Sequence, residues 1–142
     1  MSDILQKLLA AKAAALESDR AREPLDVLRE RAEARRGDRR SLQAALAGAS
    51  GPAVIGEIKR ASPSRGLIVR SFEPAAIAES YAAAGVDAMS VLTEADHFLG
   101  DLSYLQIARD HAGVPILRKD FLTMPYQICL LYTSPSPRDR QK

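Results

Sequence analysis

This 142-residue chain has little sulfur and few aromatic side chains: one cysteine, Cys129, no tryptophan, and 5% aromatic residues in all. A lone cysteine excludes an internal disulfide framework and fits a reducing cytoplasm. No run approaches the ~20 apolar residues of a membrane span. The N-terminal stretch MSDILQKLLAAKAAALESD carries charges through its apolar part and lacks the layout of a signal peptide. A charge excess is missing too, since the net charge of +2 is too small to imply nucleic acid. These absences predict a soluble cytoplasmic protein with neither a membrane nor a nucleic acid as partner. With 46% apolar and 27% charged residues, the composition is that of a globular chain, long enough for one domain with a core.

The texture changes twice along the chain. From Asp3 to about Gly48 the sequence is rich in Ala, Leu, Arg and Glu. Ile4, Leu5, Leu8 and Leu9 recur at helical spacing. Pro24 suits the first turn of a second helix whose Leu25, Leu28 and Ala32 share a face, and Ser41–Ala47 predicts a short third one. From Ala53 the period becomes that of strands alternating with helices. Val54–Ile58 reads as a strand, Pro74–Ala84 as a helix ended by Gly85, and Ala88–Leu92 as a second strand. A helix across Leu102–His111 behind an Asp101 cap and a third strand at Val114–Leu117 follow. Short connections between such elements imply parallel pairing, βαβαβ. The segment CLLYTSPSPRDRQK fits neither pattern. Ser134-Pro135-Ser136-Pro137 blocks both helix and ladder, so disorder is expected after Thr133.

Chemistry concentrates at the strand ends. In VIGEIKRASPSRGLI (Val54–Ile68) and ILRKDF (Ile116–Phe121), short branched apolar runs end in charge. A buried strand normally avoids ions because an unpaired one costs several kcal/mol to desolvate. Charge confined to C-terminal strand ends is how α/β proteins build active sites. Alternation puts Glu57 and Lys59 on one face, and likewise Leu117, Lys119 and Phe121. If the two strands are neighbours, one carboxylate and two ammonium groups meet at one mouth suited to an anionic substrate. A partly desolvated lysine there suits acid catalysis. The plainer reading is a solvated strand end in which Arg118 and Lys119 pair with Asp120, and Glu57 with Lys59; structural ion pairs are common enough to keep it open.

Other candidates are weaker. Ser62, Ser64 and Gly66 could offer hydroxyl and N–H donors to an anion, yet neither the P-loop nor the dinucleotide glycine spacing is present. Glu94 and Asp96 could reach the same mouth or be plain loop charges. His97 and His111 lack ligand-spaced partners in the sequence, so no metal site is expected. Cys129 reads as a core residue. Six arginines between Leu28 and Arg40 are interleaved with Glu30, Glu33 and Asp38 and lack aromatic neighbours for base stacking, which reads as a solvated helix face.

GEIKRASPSRG, then SVLTEADHFLGD, then ILRKDF resemble the N-terminal half of the indole-3-glycerol phosphate synthase family over roughly residues 3–128. The resemblance implies an α/β fold, a partial (β/α)8 TIM barrel with an N-terminal helical extension. Residues 1–50 would be the extension, 51–128 the first βαβαβ part of the barrel, and 129–142 a non-family, disordered tail. It implies a carboxy-lyase of tryptophan biosynthesis. The enzyme closes the ring of 1-(2-carboxyphenylamino)-1-deoxyribulose 5-phosphate to give indole-3-glycerol phosphate, carbon dioxide and water, without metal or organic cofactor. By motif match Lys119 would be the general acid and Lys59 would meet the substrate carboxylate and assist dehydration. Glu57 would hold both lysines, Ser62 and Pro63 would shape the carboxylate and ring pocket, and Phe121 would pack on the ring.

A whole barrel of this kind needs ~250 residues. With about three strands, the family's glutamate base on a later strand and the phosphate loops after strands seven and eight are missing from this sequence. The expectation is a truncated chain with a foreign end. On its own it would be poorly folded or self-associating through uncovered sheet edges, and inactive. The alternative from another class is a small α/β module that binds anions or associates with itself without catalysis.

Overall fold

In the computed structural model, residues 3–133 are described. The elements run α1 (Asp3–Arg22), α2 (Leu25–Ala34), a 3-10 turn (Arg36–Asp38), α3 (Leu42–Ala47), β1 (Ile55–Ile58), β2 (Ala61–Ser62) and β3 (Gly66–Leu67). They continue with α4 (Pro74–Ala83), β4 (Ala88–Leu92), α5 (Ser103–Ala112), β5 (Ile116–Lys119) and α6 (Pro125–Thr133). They divide between two units, residues 3–37 with 121–133, and residues 38–120. The short helix α3 packs with β4, and α6 packs with α2. No helix among the described residues is long and apolar enough to cross a membrane.

In the larger unit, β1, β4 and β5 form a three-stranded parallel sheet in the order β1-β4-β5. β4, AMSVL, is buried along its whole length, as the middle strand must be. Alternation splits the sheet into two faces. Gly56, Ile58, Met89, Val91, Ile116 and Arg118 share one, and Ile55, Glu57, Ala88, Ser90, Leu92, Leu117 and Lys119 share the other. Helices α4 and α5 pack on each other and on the sheet, burying Ala78, Leu105 and Ala108 together with Ile58, Met89 and Val91. Gly56 sits under α4, where an added Cβ would lie 2.6 Å from a Tyr81 ring carbon. The Tyr81 hydroxyl donates to the Glu57 carbonyl at 3.1 Å. The absence of a side chain at residue 56 is therefore what lets the tyrosine lie flat against the strand. The starts of β1 and β4 are joined by the Val54 N–H, which donates to Asp87 Oδ2 at 2.8 Å.

The βαβαβ order matches expectation, with two local differences. The loop around Ser62–Gly66 closes as a small antiparallel hairpin of β2 and β3. The last strand begins two residues later than Val114, because Pro115 has no N–H for the ladder; its carbonyl accepts from Met89 N–H at 3.0 Å. Asp101 does cap α5, its Oδ1 accepting from the Ser103 N–H at 2.7 Å.

The smaller unit is helical. Leu16 of α1, Leu28 of α2 and Tyr126 of α6 form its core, with Leu25, Met124, Cys129 and Leu130 packed against them. The Tyr126 hydroxyl donates to the Glu23 carbonyl at 3.0 Å. Cys129 is thus a packing residue, as its isolation in the sequence implied. Residues 129–133, assigned by the resemblance to the tail, lie in α6, where Cys129 and Leu130 pack against the Leu16–Leu28–Tyr126 core. The rest of that tail, residues 134–142, lies outside the described residues.

Candidate active site

Three charged side chains of the larger unit converge at the C-terminal end of the sheet. Lys59 Nζ donates to Glu57 Oε1 at 2.5 Å, and Lys119 Nζ stands 3.3 Å from Glu57 Oε2. The two outer strands are not neighbours, since β4 runs between them. Two strand spacings of ~4.8 Å separate them, a gap that a glutamate and a lysine bridge by reaching toward each other. Ser90, level with both Glu57 and Leu117, is small enough to leave that path open.

Burial pushes the Glu57 carboxyl up, but hydrogen bonds from Lys59 and Lys119, and their charges, outweigh it and hold it below its ordinary value. The carboxylate is therefore ionised and locks two cations at one mouth. The Lys119 side chain is 55% exposed, so the partial desolvation expected of a strand-end lysine is not met. Among the described residues no strand lies beyond β5 to cover it.

Ser62 is buried, and its Oγ accepts from the Arg65 N–H at 3.3 Å and lies 3.5 Å from Ser64 Oγ. Pro63 is exposed between β2 and β3. Phe121 belongs to the other unit, where its carbonyl accepts from Gln127 Nε2 at 2.8 Å. Of the six residues singled out by motif, the structure joins Glu57, Lys59 and Lys119 directly and sets Ser62 and Pro63 in the hairpin that follows β1.

Arg118 is the residue whose part was least legible. Its side chain is 4% exposed and pairs with the fully buried Asp120 at 2.7 Å. Arg118 Nε donates to Thr93 Oγ1 at 3.1 Å, and Thr93 Oγ1 donates to Asp120 Oδ2 at 2.7 Å. The pairing with Asp120 was anticipated, but as a solvated one. Alternation was the available signal, because a residue adjacent to Lys119 must point at the helices.

Both histidines have acidic neighbours. His111 Nδ1 lies 2.6 Å from Glu79 Oε1 between α4 and α5, both exposed. The loop after β4 brings Glu94, Asp96 and His97 together, with one ligand atom from each within 4.8 Å of the others. That turn supplies the partners His97 lacks by sequence spacing. Glu94, however, spends its carboxylate on three backbone N–H groups of its own loop. In the arginine run, Arg31 pairs with Glu23, Arg36 with Glu33 at 2.9 Å, and Arg40 donates to the Val114 carbonyl at 3.2 Å.

Parallel strands ending in a shared carboxylate–diammonium cluster, preceded by a helical extension, define a (β/α)-barrel protein of which this chain holds the first strands. The chain belongs to the indole-3-glycerol phosphate synthase family, whose model matches residues 5–134. The match extends six residues past Ile128. The chain is 50% identical over 133 residues to the indole-3-glycerol phosphate synthase of Laribacter hongkongensis, covering 90% of this chain and 49% of that protein. It is 49% identical over 131 residues to that of Chromobacterium violaceum and 48% over 131 residues to that of Azoarcus sp., with the same two coverages. The chain therefore spans about half the length of the curated relatives it matches.

Proposed function

We propose that this chain carries one side of the catalytic mouth of an indole-3-glycerol phosphate synthase and needs the remaining strands to turn over. The observation that carries the reading is Glu57 held between Lys59 and Lys119. The substrate, 1-(2-carboxyphenylamino)-1-deoxyribulose 5-phosphate, brings a carboxylate and a phosphate, which suits a mouth lined with ammonium groups. Lys119 delivers a proton to the ketone oxygen as the ring carbon bearing the carboxylate attacks the ketone carbon. A cation aimed at that developing alkoxide stabilises it. Carbon dioxide leaves as the new carbon–carbon bond is retained, and water leaves last. Lys59 faces the carboxylate and assists the dehydration, while Glu57 keeps both ammonium groups in place. Ser62 and Pro63 wall the carboxylate and ring, and Phe121 packs on the ring. Residues 1–50 serve as the helical extension and 51–128 as the first part of the barrel. The single cysteine supports a cytoplasmic setting, and the interleaved acidic side chains of the arginine run support no role for nucleic acid.

Indole-3-glycerol phosphate formation, read by its fluorescence, tests this. The chain is assayed alone, with the missing strands supplied as a second chain, and within a full-length parent. The expected result is no turnover alone, restored turnover on completion, and a loss of about 10²- to 10⁴-fold in Lys119→Ala. Undiminished turnover in Lys119→Ala would remove the assigned acid. Turnover by the chain alone would overturn its dependence on the missing strands.

A second reading is favoured by Ile55 and Leu117, which lie on the mouth face at 44% and 43% exposure. Such an apolar face on an open sheet supports self-association, with the lysines holding a simple anion and no chemistry following. Inorganic phosphate bound as well as the carboxylated substrate would favour that module over the enzyme.

A further inference from the structure

Glu94 is almost wholly buried, and its carboxylate is bonded within its own loop. Its Oε1 accepts from the Asp96 N–H at 3.1 Å, and its Oε2 accepts from the N–H groups of His97 and Phe98 at 2.8 and 3.0 Å. Its carbonyl accepts from the Gly100 N–H at 2.7 Å. The turn is tight enough that a Cβ on Gly100 would meet the Leu92 carbonyl oxygen at 2.5 Å and the Glu94 carbonyl oxygen at 2.8 Å. Leu99 adopts a left-handed φ of 52° within it. The loop is thus wound around one carboxylate. Its outer side has one further bond, in which the Phe98 carbonyl accepts from the Ala61 N–H at 3.2 Å. Ala61 opens the hairpin that carries Ser62 and Pro63.

We propose that Glu94 is a positioning residue. By fixing the Phe98 peptide it holds the Ala61 N–H, and through it sets the Ser62–Pro63 hairpin against the mouth. This deepens the functional reading above and rests on it, because it names what places the carboxylate-binding loop. The chain of contacts lies within one unit and passes from a carboxylate through two peptide groups to the hairpin, with no contribution from Glu94 to the reacting atoms. A carboxylate is needed because three converging N–H donors ask for two acceptor oxygens. Glutamine offers one oxygen, which at the Oε2 position keeps the His97 and Phe98 bonds and gives up only that to Asp96.

Hydrogen exchange on the full 142-residue chain tests the link without requiring activity. In Glu94→Ala the Ala61 amide should exchange about tenfold faster or more, while the Met89 and Ala84 amides, in the sheet and in the turn ending α4, keep their rates. Glu94→Gln should restore most of the Ala61 protection while leaving the Asp96 amide fast. Equal acceleration of all these amides would overturn the proposal, reducing Glu94 to a contributor to overall stability. So would an unprotected Ala61 amide in the unsubstituted chain, or one indifferent to Glu94→Ala. In a completed, active assembly Glu94→Ala should raise KM about tenfold with a smaller change in kcat, since the hairpin and not Lys119 is displaced. A completed assembly without turnover would count against the functional reading alone, because the amide pattern is read independently.

Discussion

Glu57 and Lys119 meet across an intervening strand, Oε2 to Nζ at 3.3 Å, although 61 positions lie between them in the chain. Because the same carboxylate also holds Lys59 at 2.5 Å, one anion organises two cations at the mouth of the sheet. The consequences extend from acid stability to assembly.

The first concerns pH. The folded-state value of Glu57 lies below its ordinary one, so its ion pairs contribute stability that is present above the unfolded-state value and is lost as pH falls through the folded one. Urea midpoints measured from pH 6 down to pH 3 should fall for the unsubstituted chain, and Glu57→Gln should flatten part of that fall. Identical slopes for the two proteins would show that the lysines do not depress Glu57.

The buried pair behind the mouth predicts a larger effect. Asp120→Asn leaves the Arg118 guanidinium, 4% exposed, without its counter-charge, and removing one partner of such a pair costs about 3–5 kcal/mol. Urea unfolding should show that loss, and replacing both residues with Met and Leu should recover part of it. A midpoint unchanged in Asp120→Asn would mean that water reaches the guanidinium.

Gly56→Ala places a methyl group 2.6 Å from the Tyr81 ring. Overpacking of that kind costs about 1–3 kcal/mol. Thermal unfolding of Gly56→Ala should show the loss, and Tyr81→Leu in the same chain should relieve it, because the clash is with the ring. Equal destabilisation in both backgrounds would point to backbone strain in β1 instead.

Ile55 and Leu117, exposed on the two outer strands of the mouth face, predict association. Light scattering should report a mass above that of one chain, falling when Ile55 and Leu117, both over 40% exposed, are changed together to Gln. A monodisperse monomer before substitution would remove the self-association reading.

What the sequence determined by itself was local. Strand alternation places Glu57 with Lys59 and separates Lys119 from Arg118, and helical spacing and turn residues locate α2, α4 and α5 to within a residue or two. The strand-end motifs were sufficient to identify the family. Alternation and helical period are properties of neighbouring residues, so they survive in a one-dimensional reading.

Tertiary structure decided the rest. It inserted β4 between the two charged strands, so that long side chains had to span the gap. It buried Arg118 with Asp120 and Thr93, and it bonded the Glu94 carboxylate within its own loop. It extended α6 to Thr133, because Tyr126, Cys129 and Leu130 have Leu16 and Leu28 to pack against. The strand order, the Arg118–Thr93 bond and the extent of α6 depend on groups far apart in the chain. Helical order in a short apolar segment and the ionic state of a buried carboxylate follow from what packs around them, which no local pattern specifies.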